Sequence, residues 1–152
     1  QQFVTITTGW GSAYALAAGG FAYDEIVPPM VGKVVTFKLG ATEEIADPDL
    51  PEVLREPQAE RFGSEEVLQS GMVAYARNCS VCHGALALSS GVLPDLRWSA
   101  ISGDAEAWKS VVIDGSLAEN GMVSFSRLLT EDDAEAIRAY VVTQAHTAIE
   151  LE

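Results

Sequence analysis

The chain has 152 residues and a formal net charge of −13, enough for one domain with its own core, or a small domain plus an appendage. The acidic balance argues against nucleic acid and anionic lipid surfaces, which attract the opposite sign, and suits a basic or neutral partner. No apolar run approaches the length of a membrane span, and Gln1-Gln2 offers neither an initiator methionine nor a signal peptide, so the sequence reads as a mature or excised piece.

Residues 1–40 form a β segment by their pattern. Phe3-Val4-Thr5-Ile6-Thr7 and Lys33-Val34-Val35-Thr36-Phe37-Lys38-Leu39 are rich in β-branched and aromatic residues with partial alternation. Between them lie the glycine-rich apolar run from Gly9 to Gly20 and the Pro28-Pro29 turn. Two or three such strands bury too little surface to stand alone, and they need a larger sheet or a helical domain to join. Residues 41–63 follow as an acidic linker. Glu43, Glu44, Asp47, Asp49, Glu52, Glu56 and Glu60 face only Arg55 and Arg61, with prolines at 48, 51 and 57. Charge repulsion and missing donors predict an extended segment laid along a surface.

Helical signals begin at residue 64. Ser64 is an N-cap followed by Glu65 and Glu66, which the helix dipole favours. Val67, Gly71, Tyr75 and Cys79 recur at helical spacing, predicting an inward face on which Gly71 admits another backbone. Asp104 caps a short helix from Ala105 to about Asp114, with Trp108, Val111 and Val112 as its apolar stripe and Gly115 as its stop. Thr130-Glu131-Asp132-Asp133 opens a last helix on which Ala134, Ile137, Tyr140 and Val141 share one face, expected to pack across the helix of Gly71 and Tyr75. Ile149 to Glu152 carry no pattern; 148–152 is a tail, and Leu151-Glu152 looks like an expression scar.

Cys79-Ser80-Val81-Cys82-His83 ends the first helix, and C-x-x-C-H is the sequence by which c-type haem is attached. Two thiols at this spacing can each form a thioether to one vinyl group of the porphyrin, and the next residue, His83, then lies beneath the iron as an axial ligand. A redox dithiol and half of a zinc site use the same C-x-x-C. Against zinc, there is no other cysteine and only one other histidine, His146. Against a thioredoxin-like motif, no βαβ pattern surrounds Cys79.

A low-spin electron carrier needs a sixth ligand, and a methionine thioether favours Fe(II). Met30 lies in the β segment, and Met72 lies on the helix leading into the motif, where core packing explains it. Met122, in a loop after Gly121 and between two helices, is the favoured ligand. The Pro94 carbonyl is expected to accept from His83 Nδ1–H and so fix the ring tautomer. Trp98, Trp108 and Phe125 read as pocket walls, and Arg97 as a partner for a propionate or a surface charge.

From Gly71 to Gln144, the spacing Gly71…Tyr75…Cys79-x-x-Cys82-His83, Leu93-Pro94-Asp95-Leu96 and Gly121-Met122 resembles class I cytochrome c. More narrowly, Tyr75-Ala76-Arg77-Asn78-Cys79, Asp114-Gly115, Gly121-Met122-Val123-Ser124-Phe125 and Glu135 to Val141 resemble the C-terminal haem domain of PQQ-dependent quinohaemoprotein alcohol dehydrogenases. Phe3 to Gly11 and Val34 to Leu39 resemble the last strands of that family's eight-bladed propeller. The resemblance implies a mainly α fold, with residues 64–147 as the cytochrome domain after the β segment. It implies one covalent haem c in this chain, with PQQ, calcium and the catalytic aspartate in a propeller portion outside it. Trp10, within Gly9-Trp10-Gly11, matches a position where that family approaches PQQ.

The function implied is electron transfer from reduced PQQ to a soluble periplasmic acceptor, as the non-catalytic relay of an alcohol dehydrogenase. The periplasm follows from where c-type haem is attached in bacteria. Two other readings stay open. One is an independent monohaem cytochrome whose β extension serves docking or dimerisation; the other is a haem sensor with a labile sixth site.

Overall fold

A computed structural model describes residues 2–8, 32–46 and 54–151. Trp10 and Met30 lie outside them. The elements in chain order are strands β1 (Phe3–Thr8) and β2 (Lys33–Lys38), then helix α1 (Glu65–Asn78), the single turn α2 (Ser80–His83), α3 (Ala105–Val112) and α4 (Glu131–Glu150), with short 3-10 turns between α2 and α4. The architecture is mainly helical, with one two-stranded sheet among the described residues.

β1 and β2 pair antiparallel, with Val4 opposite Phe37 and Ile6 opposite Val35. Those four share one apolar face, because alternate residues of a strand point the same way. Val4 is 52% exposed, Ile6 44% and Phe37 51%, while Val35 is half-buried, so among the described residues this face is largely uncovered. On the other face the Thr5 and Thr36 hydroxyls meet at 3.0 Å, a cross-strand pair.

Each long helix starts where its cap residue predicts. Ser64 Oγ accepts from the Val67 N–H, and the Asp104 carboxylate accepts from the N–H groups of Glu106 and Ala107. Thr130 and Asp133 form a reciprocal capping box, each side chain accepting from the other's backbone N–H. Helix α4 runs on through Glu150, past residue 147 where the sequence pattern fades. On α1 the expected inward face holds at Gly71, Tyr75 and Cys79 but not at Val67, which is 37% exposed. Steps of four residues overshoot a helical turn by about 40°, so the row drifts and its first member rotates toward solvent.

α1 and α4 form the central crossing. Gly71 is buried beneath the Ala136 carbonyl, which a Cβ would overrun, and the rings of Tyr75 and Tyr140 meet at 5.4 Å, tilted by 51°. Tyr75, Ile137, Val141, Trp108 and Leu129 fill the core around this crossing.

The end of the linker is laid on α4. The Ala59 carbonyl accepts from His146 Nε2 at 2.8 Å, and the Arg138 guanidinium sits 4.2 Å over the Phe62 ring. Arg138 is itself buried, donating to the Ser102 carbonyl and to both oxygens of Glu135. Gly103 has no Cβ, and one would stand 2.6 Å from the Gln58 carbonyl oxygen, so the strap lies directly on that turn.

Candidate haem-binding site

The end of α1, all of α2, the loop around Pro94 and the loop after α3 enclose a cavity of about 320 Å³. Cys79, Cys82, His83, Pro94, Met122 and Phe125 all line it, together with the apolar side chains of Leu96, Val111 and Leu117. Residues 43 positions apart in sequence are thus brought to one space.

The chain between Cys79 and Gly84 is helical, with the His83 N–H bonded to the Cys79 carbonyl at 2.9 Å and Gly84, at φ +83°, closing the turn. This places both thiols and the imidazole around one turn. Cys79 is buried and Cys82 exposed. Burial, then the neighbouring Cys82, pushes the Cys79 thiol up to about 12.

His83 is 7% exposed, with Nδ1 3.0 Å from the Pro94 carbonyl oxygen. A carbonyl only accepts, so Nδ1 carries a proton, and in the neutral ring the lone pair is then on Nε2. Two devices hold Pro94 in place. Before it, Ser89 Oγ donates to the Leu93 carbonyl at 2.6 Å; after it, the Asp95 carboxylate accepts from the Arg97 backbone N–H, Nε and Nη2. On the other side of His83, the buried Tyr75 hydroxyl donates to the Gly84 carbonyl at 2.9 Å. Leu86 and Ala87 follow at φ +54° and +60°, left-handed conformations that cost non-glycine residues of order 1 kcal/mol each.

Met122 follows Gly121, whose φ of +95° ends a 3-10 turn. Met72 lines a separate groove with Tyr75, Leu86 and Tyr140, not this cavity. Trp108, Trp98 and Arg97 are not among the side chains that line this cavity. Trp108 packs in the core, its Nε1 donating to the Ala134 carbonyl at 2.8 Å. Trp98 does not line the cavity and lies under the Arg97 guanidinium at 5.1 Å. Arg97, expected toward a propionate or solvent, is paired with Asp95 at 2.6 Å. Helical spacing marks Tyr75 as inward-facing; its hydroxyl's acceptor is a backbone carbonyl nine residues on, which leaves no mark in sequence.

A family profile described as "Cytochrome C oxidase, cbb3-type, subunit III" matches residues 66–141. The chain belongs to this cytochrome family. Within it, the chain matches the C-terminal cytochrome region of quinohaemoprotein alcohol dehydrogenases. It is 31% identical over 147 residues to quinohemoprotein alcohol dehydrogenase ADH-IIG of Pseudomonas putida, covering 96% of this chain and 20% of that protein. It is 33% identical to the dehydrogenase subunit of an alcohol dehydrogenase (quinone) of Gluconobacter oxydans, over 96% of this chain and 19% of that one. Among solved structures, ADHIIG from P. putida HK5 superposes with a TM-score of 0.83 at 30% identity, covering 97% of this chain and 21% of its own. The quinohemoprotein alcohol dehydrogenase of Comamonas testosteroni gives 0.62 at 25% identity, covering 95% of this chain and 20% of its own. The cytochrome chain therefore spans about a fifth of the length of the curated relatives it matches.

A cytochrome c domain implies haem c, and the residues present fit it: paired thiols, a buried imidazole with its tautomer set, a thioether and apolar walls on one cavity. Among the described residues no three His, Cys, Asp or Glu side chains gather as a metal-ion cluster, whereas a structural zinc site needs four ligands. Among them, too, no helix is long and apolar enough to cross a membrane.

Proposed function

We propose that this cytochrome chain is the electron relay of a quinohaemoprotein alcohol dehydrogenase. It takes electrons singly from reduced PQQ in a propeller portion and passes them to a soluble periplasmic acceptor. The observation that carries this reading is the meeting of Cys79, Cys82, His83 and Met122 on one apolar cavity, in a chain aligned over 96% of its length with such an enzyme.

Cys79 and Cys82 would hold haem c through thioethers, and His83 Nε2 and the Met122 thioether would be the protein ligands to its iron. When bound, haem c supplies a one-electron iron couple. The Pro94 carbonyl keeps the His83 ring in one orientation and raises its basicity. Phe125, Leu96 and Val111 exclude water, which with the thioether favours the reduced form. No bond chemistry on alcohol is assigned to these residues; PQQ, calcium and the catalytic aspartate belong to the propeller portion. The largely uncovered apolar face of β1–β2 supports reading residues 1–40 as last strands of that propeller, with Trp10 near PQQ, residues 41–63 as the linker and 64–147 as the cytochrome domain. The haem-loaded chain, given an alcohol and an artificial electron acceptor, is expected to give no turnover; sustained alcohol oxidation by it would contradict the assignment.

A further inference from the structure

The loop that carries Met122 is tied on its downstream side to the C-terminal end of α3. That end leaves backbone carbonyls without helical partners, and the loop supplies two of them. The Phe125 N–H bonds to the Val112 carbonyl at 2.8 Å, and the Ser124 hydroxyl donates to the Ile113 carbonyl at 2.5 Å. With its single proton given to Ile113, Ser124 Oγ accepts from the Ser126 N–H at 3.3 Å and meets the Ser126 hydroxyl at 3.0 Å. A glycine makes room for this arrangement. Gly115 stands at φ +74°, and a Cβ there would lie 2.8 Å from Ser124 Cβ. Upstream, the Met122 N–H reaches the Leu117 carbonyl at 3.2 Å.

Met122 thus hangs between its own N–H bond to the Leu117 carbonyl and the Ser124 bond to the Ile113 carbonyl. We propose that the Ser124–Ile113 hydrogen bond, seated over Gly115, is the latch that holds the Met122 side chain at the cavity and sets how readily it swings away. Ser124 is a positioning residue: it does not line the cavity and acts only through the loop. The inference rests on the reading of Met122 as the sixth ligand.

The test uses the haem-loaded chain in its ferric form. Added imidazole displaces the thioether at a rate limited by loop opening, and the absorption band characteristic of Met–Fe(III) ligation reports the resting state. Loss of one hydrogen bond shifts such an opening equilibrium by about three- to ten-fold. Ser124→Ala is expected to keep the band and bind imidazole about three- to ten-fold faster, while Ser124→Thr, which retains the hydroxyl, stays within about two-fold of the parent chain. Gly115→Ala, which pushes Ser124 off its seat from the opposite side, is expected to accelerate binding as well, and serves if Ser124→Ala does not fold. Parent-like imidazole binding in Ser124→Ala and Gly115→Ala, in a protein whose band disappears in Met122→Ala, would overturn the latch alone. Persistence of the band in Met122→Ala would overturn the ligand reading, and the latch with it.

Discussion

Gly71 of α1 lies against the carbonyl of Ala136 in α4 so closely that a Cβ would overlap that group. The crossing of the two helices is set here, two helical turns before Cys79. An exposed glycine-to-alanine change inside a helix gains about 1 kcal/mol; at Gly71 the overlap is with backbone, which cannot move aside as a flexible side chain does. Overpacking of this kind costs about 1–3 kcal/mol. Gly71→Ala is therefore expected to lower the denaturant midpoint of the haem-loaded chain, opposite in sign to its helix propensity.

Tyr75 joins the same crossing to the motif, because its hydroxyl holds the carbonyl of Gly84, the residue after His83. Tyr75→Phe keeps the ring against Tyr140 but leaves a buried carbonyl without its donor, at a cost of about 1–3 kcal/mol. Equilibrium unfolding is expected to register that loss with the absorption spectrum of the haem little changed.

How much of this was legible in sequence varied with the kind of contact. The caps at Ser64, Asp104 and Thr130, the C-x-x-C-H turn and the Gly71 crossing are local or periodic patterns, and the structure has them where the pattern puts them. His83 and Pro94 were paired correctly because a stiff, donor-free loop residue follows the motif at short range. An apolar stripe marks Trp108 as buried but not which side of the core it faces, and its acceptor, the Ala134 carbonyl, lies 26 residues away. Arg97 pairs with the acid two residues back, within the same turn. The strap over α4 was expected only as surface packing, since Ala59 and Gln58 act through backbone atoms, which every residue type has.

Burial holds the Tyr75 and Tyr140 phenols above the ordinary tyrosine range. In the unfolded chain both ionise near pH 10. Because the folded values are raised, the stability these groups contribute is complete below about pH 10 and is lost as pH rises beyond it. Thermal midpoints of the haem-loaded chain should be insensitive to these groups from neutrality to about pH 10 and fall above it; the fall should be shallower in Tyr75→Phe.

Each cysteine of the motif is expected to hold one vinyl group. Cys82→Ala should leave a single thioether, through Cys79, so the haem remains covalently bound while the alkaline pyridine spectrum of the reduced pigment moves toward that of a porphyrin with one free vinyl. Cys79→Ala should do the same, with poorer yield, because Cys79 is also part of the core. A parent-like spectrum in either variant would show that its thiol is not a point of attachment.

On the proposed reading, in which this chain is joined to a PQQ-bearing propeller portion, the most direct measurement is rapid mixing of that joined polypeptide, carrying PQQ and haem, with an alcohol, beside this cytochrome chain alone. In the joined polypeptide the haem absorbance is expected to change to the reduced form within the turnover time, and the chain alone should stay oxidised. Alcohol oxidation at full rate with the haem remaining ferric, or reduction of the isolated chain by alcohol, would contradict its role as the relay.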